Sequence, residues 1–137
     1  MKACRNLAFL LGALIVGAAM QPACAQSNRA PTALQKEFDQ FIVKLRGALK
    51  ANDGAAVTEM TKFPFYWNEM RDAAYFRKNV YSKLFTAKDR ACLARAKGVY
   101  DRDPQGNQNY SLFCGQQIFL FTKTLAGFRF AEVGAND

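Results

Sequence analysis

The chain has 137 residues, 50% of them apolar and 13% aromatic, and a formal net charge of +8. That length suits one ordinary domain, and the apolar fraction is too high for a disordered tail. It holds no histidine, which removes serine triads, Cys–His pairs, HExxH zinc sites and His–Asp dyads in their usual form.

Residues 1–25 read as an export signal. Lys2 and Arg5 give a positive start, residues 7–20 are free of charge, and Ala23-Cys24-Ala25 is a small-x-small cleavage motif. Cleavage is expected between Ala25 and Gln26. At about 1.5 Å rise per residue, this apolar run falls short of a hydrocarbon core roughly 30 Å thick, so no transmembrane segment is expected after signal removal. A lipidated Cys24 is the rival reading, although Gln21 and Pro22 stand where a lipobox has an aliphatic and a small residue. The location implied is the periplasm or beyond. The mature chain, 26–137, carries 17 basic against 11 acidic groups, a net +6. It retains Cys92 and Cys114, which in an oxidising compartment are most simply one disulfide. Two buried free thiols are the alternative; the spacing fits no CxxC motif and offers too few ligands for zinc.

Residues 26–31 form a polar leader, and the domain proper runs over 32–137. Thr32 and Gln35 fit a capping box, behind which Leu34, Phe38, Phe41, Ile42, Leu45 and Leu49 recur at helical spacing. Asn52-Asp53-Gly54 ends that helix, and Asp53 caps a short second one bearing Ala56, Val57 and Met60. The aromatic run Phe63-Pro64-Phe65-Tyr66-Trp67 contains a proline, which confines it to an edge strand or an extended connection. A third helix is expected from about Asp72 to Phe85, with Phe76, Val80 and Leu84 on its buried side. Thr86 caps a further helical stretch holding Cys92. From Val99 the period becomes strand-like. Strands are expected at 110–114, 117–123 and 128–133, with Leu125-Ala126-Gly127 turning the last two into a hairpin. Helices followed by an antiparallel meander make an α+β layout. Because 117–123 is apolar on both sides, both sheet faces are expected to need cover: helices on one, and curl, a partner or a ligand on the other.

The long amphipathic helix, the Lys62-Phe63-Pro64-Phe65 segment, the Lys83-Leu84-Phe85-Thr86 helix end and the closing hairpin 127–133 together resemble the small exported proteins of the NTF2-like (cystatin-like α+β cone) superfamily. The resemblance implies a curved sheet wrapped around helices, often with a pocket at the open end and often a sheet-to-sheet homodimer. Catalytic members use His–Asp or Asp–Tyr sets. The first is impossible here, and fold alone does not supply function.

Three candidate sites emerge. The first is a basic face: Arg71, Arg77, Lys78, Lys83, Lys88, Arg90, Arg95 and Lys97 stand against only Asp72 and Asp89 between residues 71 and 97. Such a face attracts lipid headgroups, acidic envelope polymers or an acidic protein, or is simply a solvated helical surface. Export disfavours nucleic acid. The second, a partial calcium loop at Asp101, Asp103, Gly106 and Asn107, has Leu112 where a bidentate glutamate is required, and a Pro-Gly turn explains the same residues; no metal is assigned. The third is a ligand pocket of Tyr66, Trp67, Tyr100, Phe128, Phe130 and Glu132. By strict alternation Glu132 shares a face with the two phenylalanines, making it and Tyr66 the candidates for catalysis. The bland alternative is a rim glutamate in water, or one paired with Arg129 or a lysine.

The function expected is a non-enzymatic binding module without a cofactor. It would take a small apolar ligand in the cone or an anionic envelope component on the basic face. An inhibitor or immunity-type protein that blocks an envelope enzyme, and an isomerase- or dehydratase-like enzyme using Glu132 and a tyrosine, are the other readings.

Overall fold

The computed structural model describes residues 29–136. The export signal, the cleavage position, Cys24 and residues 26–28 of the leader lie outside them. The described chain is an α+β domain, its helices packed on one face of a four-stranded antiparallel sheet.

Helix α1 (Thr32–Lys50) buries Leu34, Phe38, Phe41, Ile42, Leu45 and Leu49, the stripe its spacing predicts. Its start differs from expectation. Pro31 occupies the cap position, no side chain caps the helix, and Thr32 is already helical. Proline presets the backbone angle a first turn needs, and Gln35 is drawn elsewhere: its amide donates to Asp39 while its oxygen accepts from the Tyr110 hydroxyl. Helix α2 (Gly54–Glu59) does begin at Asp53, whose carboxylate accepts from the Ala56 N–H at 3.0 Å. Beyond it the Phe63–Pro64 peptide is cis, and β1 (Phe65–Trp67) pairs with β2 (Glu69–Arg71) in a short hairpin. Proline thus precedes the ladder rather than interrupting it.

The third helical stretch is three pieces: α3 (Ala73–Tyr75), a π-helical turn (Phe76–Val80) and α4 (Tyr81–Leu84). Phe76, Val80 and Leu84 are all buried. Helix α5 (Ala87–Leu93) starts in a complete capping box between Thr86 and Asp89.

Strands β3 (Val99–Arg102), β4 (Gln108–Cys114), β5 (Gln117–Thr124) and β6 (Gly127–Ala135) form the sheet in chain order. Strand β6 also receives Thr61 in a parallel bridge, and Lys62 N–H donates to the Phe130 carbonyl at 2.7 Å. Tyr110, Leu112, Phe119, Phe121, Phe128 and Phe130 face the helices and are at most 1% exposed. Phe38 stacks on Tyr110 with centroids 3.8 Å apart. Phe130 lies within ring contact of Phe65, Phe85, Phe119 and Phe121. The interior is filled by rings, each burying the large apolar area that a domain of this size needs.

A bulge breaks the β5–β6 register. Leu120 faces Glu132, the next residue Phe121 faces Phe130, and Ala131 is left over. One extra residue reverses side-chain parity beyond it. Val133, opposite Phe119 and packed against the core, thereby takes the face shared by Phe128 and Phe130, and Glu132 takes the other.

Cys92 on α5 and Cys114 at the end of β4 form a disulfide, their Cα atoms 5.8 Å apart. It fastens the helical flank to the sheet. No helix among the described residues is long and apolar enough to cross a membrane.

Candidate functional site

The eight basic residues of the 71–97 stretch divide by role. Arg71 is half-buried: its guanidinium pairs with Glu69, lies 4.0 Å from the Tyr75 ring centroid, and has its Nε buried without a partner. Arg90 donates from Nη1 to the Phe85 carbonyl at 2.7 Å and is also half-buried. These two brace the fold. The other six, Arg77, Lys78, Lys83, Lys88, Arg95 and Lys97, are exposed. None of the six makes an ion pair among the described residues.

The two acids of the stretch explain why. Asp72 accepts from the Tyr75 N–H at 2.8 Å at the start of α3. Asp89 is held by Thr86 in the capping box of α5. Carboxylates are favoured at helix N-termini, where orphan N–H groups and the helix dipole stabilise negative charge. Both anions are therefore spent on caps, and the exposed cations keep their field. Salt weakens such a field over a Debye length of about 8 Å at physiological ionic strength.

Helix α1 adds to this flank. Arg46 donates from Nε to the Leu93 carbonyl at 2.9 Å and from Nη2 to the Ala96 carbonyl at 2.6 Å, covering the open C-terminal end of α5. Cations are favoured there for the converse reason. Arg46 lies outside the basic stretch in sequence, and only the tertiary packing of α1 against α5 recruits it.

The residues expected to form one pocket are distributed among several places. Phe128 and Phe130 are core walls. Trp67 is half-buried against the core. Tyr100 borders a hollow of about 730 Å³ with Arg29, Arg102 and Asp103 near the β3–β4 turn. Tyr66, exposed, and Glu132, also exposed, do meet, at a hollow of about 310 Å³ on the sheet face away from the helices, with Lys62 and Asp103 on the same wall. The bulge at Ala131 is what turns Glu132 there. Strict alternation from Phe130 gives the wrong face, and an inward-facing carboxylate is not part of this structure.

In the same hollow Thr122 donates to Asn109 at 2.9 Å, both buried. The Asp103 carboxylate accepts from the Asn107 side chain and backbone N–H at 2.7 and 2.8 Å. Those hydrogen bonds, the Asn107 side chain first, hold its carboxyl below the ordinary carboxylate range. The 103–107 segment is thus a tight turn closed by Asp103 itself, with Gly106 at φ +88°. Among the described residues no group of three or more His, Cys, Asp or Glu converges on a point.

The outer sheet face carries apolar groups. Val99 is 53% and Phe113 45% exposed, and Ile118 and Leu120 lie half-covered beside them. The chain has no match among protein-family models, curated proteins or solved structures.

Proposed function

We propose that the protein is an exported, non-enzymatic binding module of NTF2-like type that engages an anionic component of the cell envelope through its helical flank. The observation that carries this reading is the set of six exposed cations without ion-pair partners, beside two carboxylates consumed as helix caps. The 71–97 stretch holds eight cations against two carboxylates, a bias larger than solubility alone asks for. The disulfide is consistent with maturation in an oxidising compartment. The order of elements, helices with a short hairpin between α2 and α3 and then a meander, supports the superfamily reading. Ligand binding inside the sheet has less in its favour, because aromatic rings occupy the space between sheet and helices. The enzyme reading asks for a buried Glu132, and the residue is exposed.

The test is retention on an anionic support over a salt gradient. The Arg77→Glu, Lys78→Glu double variant should elute at markedly lower salt than a charge-matched control, Lys62→Glu with Arg102→Glu, on other parts of the surface. Equal shifts in the two variants would mean that net charge alone governs retention, and the reading would fall.

A further inference from the structure

The hollow on the outer sheet face, about 310 Å³ in volume, lies near the lower end of the roughly 300–1,000 Å³ span of small-ligand sites. Its floor comes from β4, β5 and β6, which supply Asn109, Thr122 and Glu132. Tyr66 and Met70 reach it from the β1–β2 hairpin, and Asp103 from the turn between β3 and β4. We propose that this hollow binds a neutral saccharide, a short run of pyranose rings whose hydroxyls meet the polar floor and whose C–H faces lie on Tyr66 and Met70. The surface is separate from the cationic helical flank, and the proposal goes beyond the reading given for that flank.

The polar floor is the first argument. Asn109 and Thr122 are direct partners across β4 and β5, are only 6% and 9% exposed, and are joined by a 2.9 Å hydrogen bond. Beside them Asp103 is fixed by two hydrogen bonds from Asn107. Groups already held by the fold lose little freedom when a ligand arrives. Above this floor, Glu132 and the Tyr66 hydroxyl have no hydrogen-bond or ion-pair partner among the described residues. A carboxylate only accepts, and a phenol both donates and accepts, so what they lack are partners of the hydroxyl kind.

The hairpin supplies the second argument. Tyr66 and Met70 stand directly opposite each other in the β1–β2 register and are 61% and 65% exposed. A hydrocarbon ligand would cover Glu132 without giving its carboxylate a donor, which is costly. A purely ionic ligand would leave the ring and the thioether in water, and it would meet charge of both signs, Lys62 with Asp103 and Glu132. A pyranose carries hydroxyls around its edge and an apolar C–H face that suits the electron-rich face of an aromatic ring. It therefore matches both halves of the hollow.

Backbone-amide NMR of the folded protein, titrated separately with cellotriose and chitotriose, tests the site. At least one of the two should give saturable shifts at Tyr66, Thr122 and Glu132. Glycerol at matched hydroxyl concentration, which has no ring face, should give none. Tyr66→Ala should weaken binding about ten-fold, as loss of a ring contact does, and Tyr66→Phe should keep most of the affinity. Glu132→Gln should weaken it about ten-fold through loss of a hydrogen bond to a charged group. Both positions are exposed, so these variants should keep the melting temperature, which separates lost binding from lost fold. No saturable shift with either trisaccharide, equal shifts with glycerol, shifts confined to other surfaces, or unchanged affinity in Tyr66→Ala would overturn the site. None of these results bears on the salt-sensitive retention that the Arg77→Glu, Lys78→Glu variant reads, so the two readings fail separately.

Discussion

At the level of single residues, Tyr110 shows how one side chain serves both core and surface. Its ring stacks on Phe38 while its hydroxyl donates to Gln35 at 2.7 Å. Burial, reinforced by the charge on Asp39, pushes the phenol up to about 12 from 10.0. Burial also raises Tyr81, whose hydroxyl donates to Asn52. In both cases the folded state holds the proton more tightly than the unfolded chain. Their contribution is therefore complete below pH 10 and declines as pH climbs toward about 12. Denaturant melts across that window should show stability falling, and Tyr110→Phe should flatten the fall. At neutral pH the same substitution should cost about 1 kcal/mol, the net worth of a hydrogen bond whose acceptor can turn to water. Gly98 is equally constrained. A Cβ there would sit 2.8 Å from Phe38 and 3.1 Å from Tyr110. Gly98→Ala should accordingly disturb the stacked pair and lower stability by about 1–3 kcal/mol, as overpacking does; near-UV circular dichroism would report the loss of ring order.

Among the elements, α5 depends most on a covalent tether. It has seven residues, and Leu93 alone is buried. Replacing both Cys92 and Cys114 by serine should cost about 3 kcal/mol through loop closure. The loss should appear first as faster amide exchange in α5, with β5 and β6 still protected. Strand β6 offers a sharper test. Deleting Ala131 would remove the bulge but place Glu132 directly after Phe130, so Glu132 would keep the outer face and Val133 the inner one. The deletion should therefore keep a cooperative melt, whereas Val133→Glu, which does put an unpaired carboxylate on the inner face, should be far more destabilising. This element also marks where legibility ended. The α1 stripe, the Asp53 and Thr86 caps, the closing hairpin and the cysteine pair were readable because each depends on neighbours within a turn or on a simple period. The Thr32 cap failed because Pro31 starts the helix a residue earlier and Tyr110, distant in sequence, claims Gln35. The side of Glu132 failed because a bulge leaves no mark on an alternation pattern. Arg46 was passed over because its role exists only once α1 and α5 are packed.

For the whole molecule, Phe130 is the point at which the helices, the β1 segment and the sheet meet, with no exposed surface of its own. Truncating such a ring to alanine typically removes about 3–5 kcal/mol, against a total for domains of about 5–15. Phe130→Ala should leave little native signal at growth temperature, whereas Phe130→Leu should remain folded with a lowered melting temperature. The distribution of charge is also a property of the whole: the hollow on the sheet side mixes Lys62 with Asp103 and Glu132, while the 71–97 stretch on the helical side supplies six exposed cations. The cystine bears on that helical side. Where thiols stay reduced, α5 has little besides Leu93 and the Arg46 clasp to hold it down, and a protease that prefers basic cleavage points would find Lys88 and Arg95 within reach. Reducing the cystine would thus turn a fastened flank into one open to cleavage.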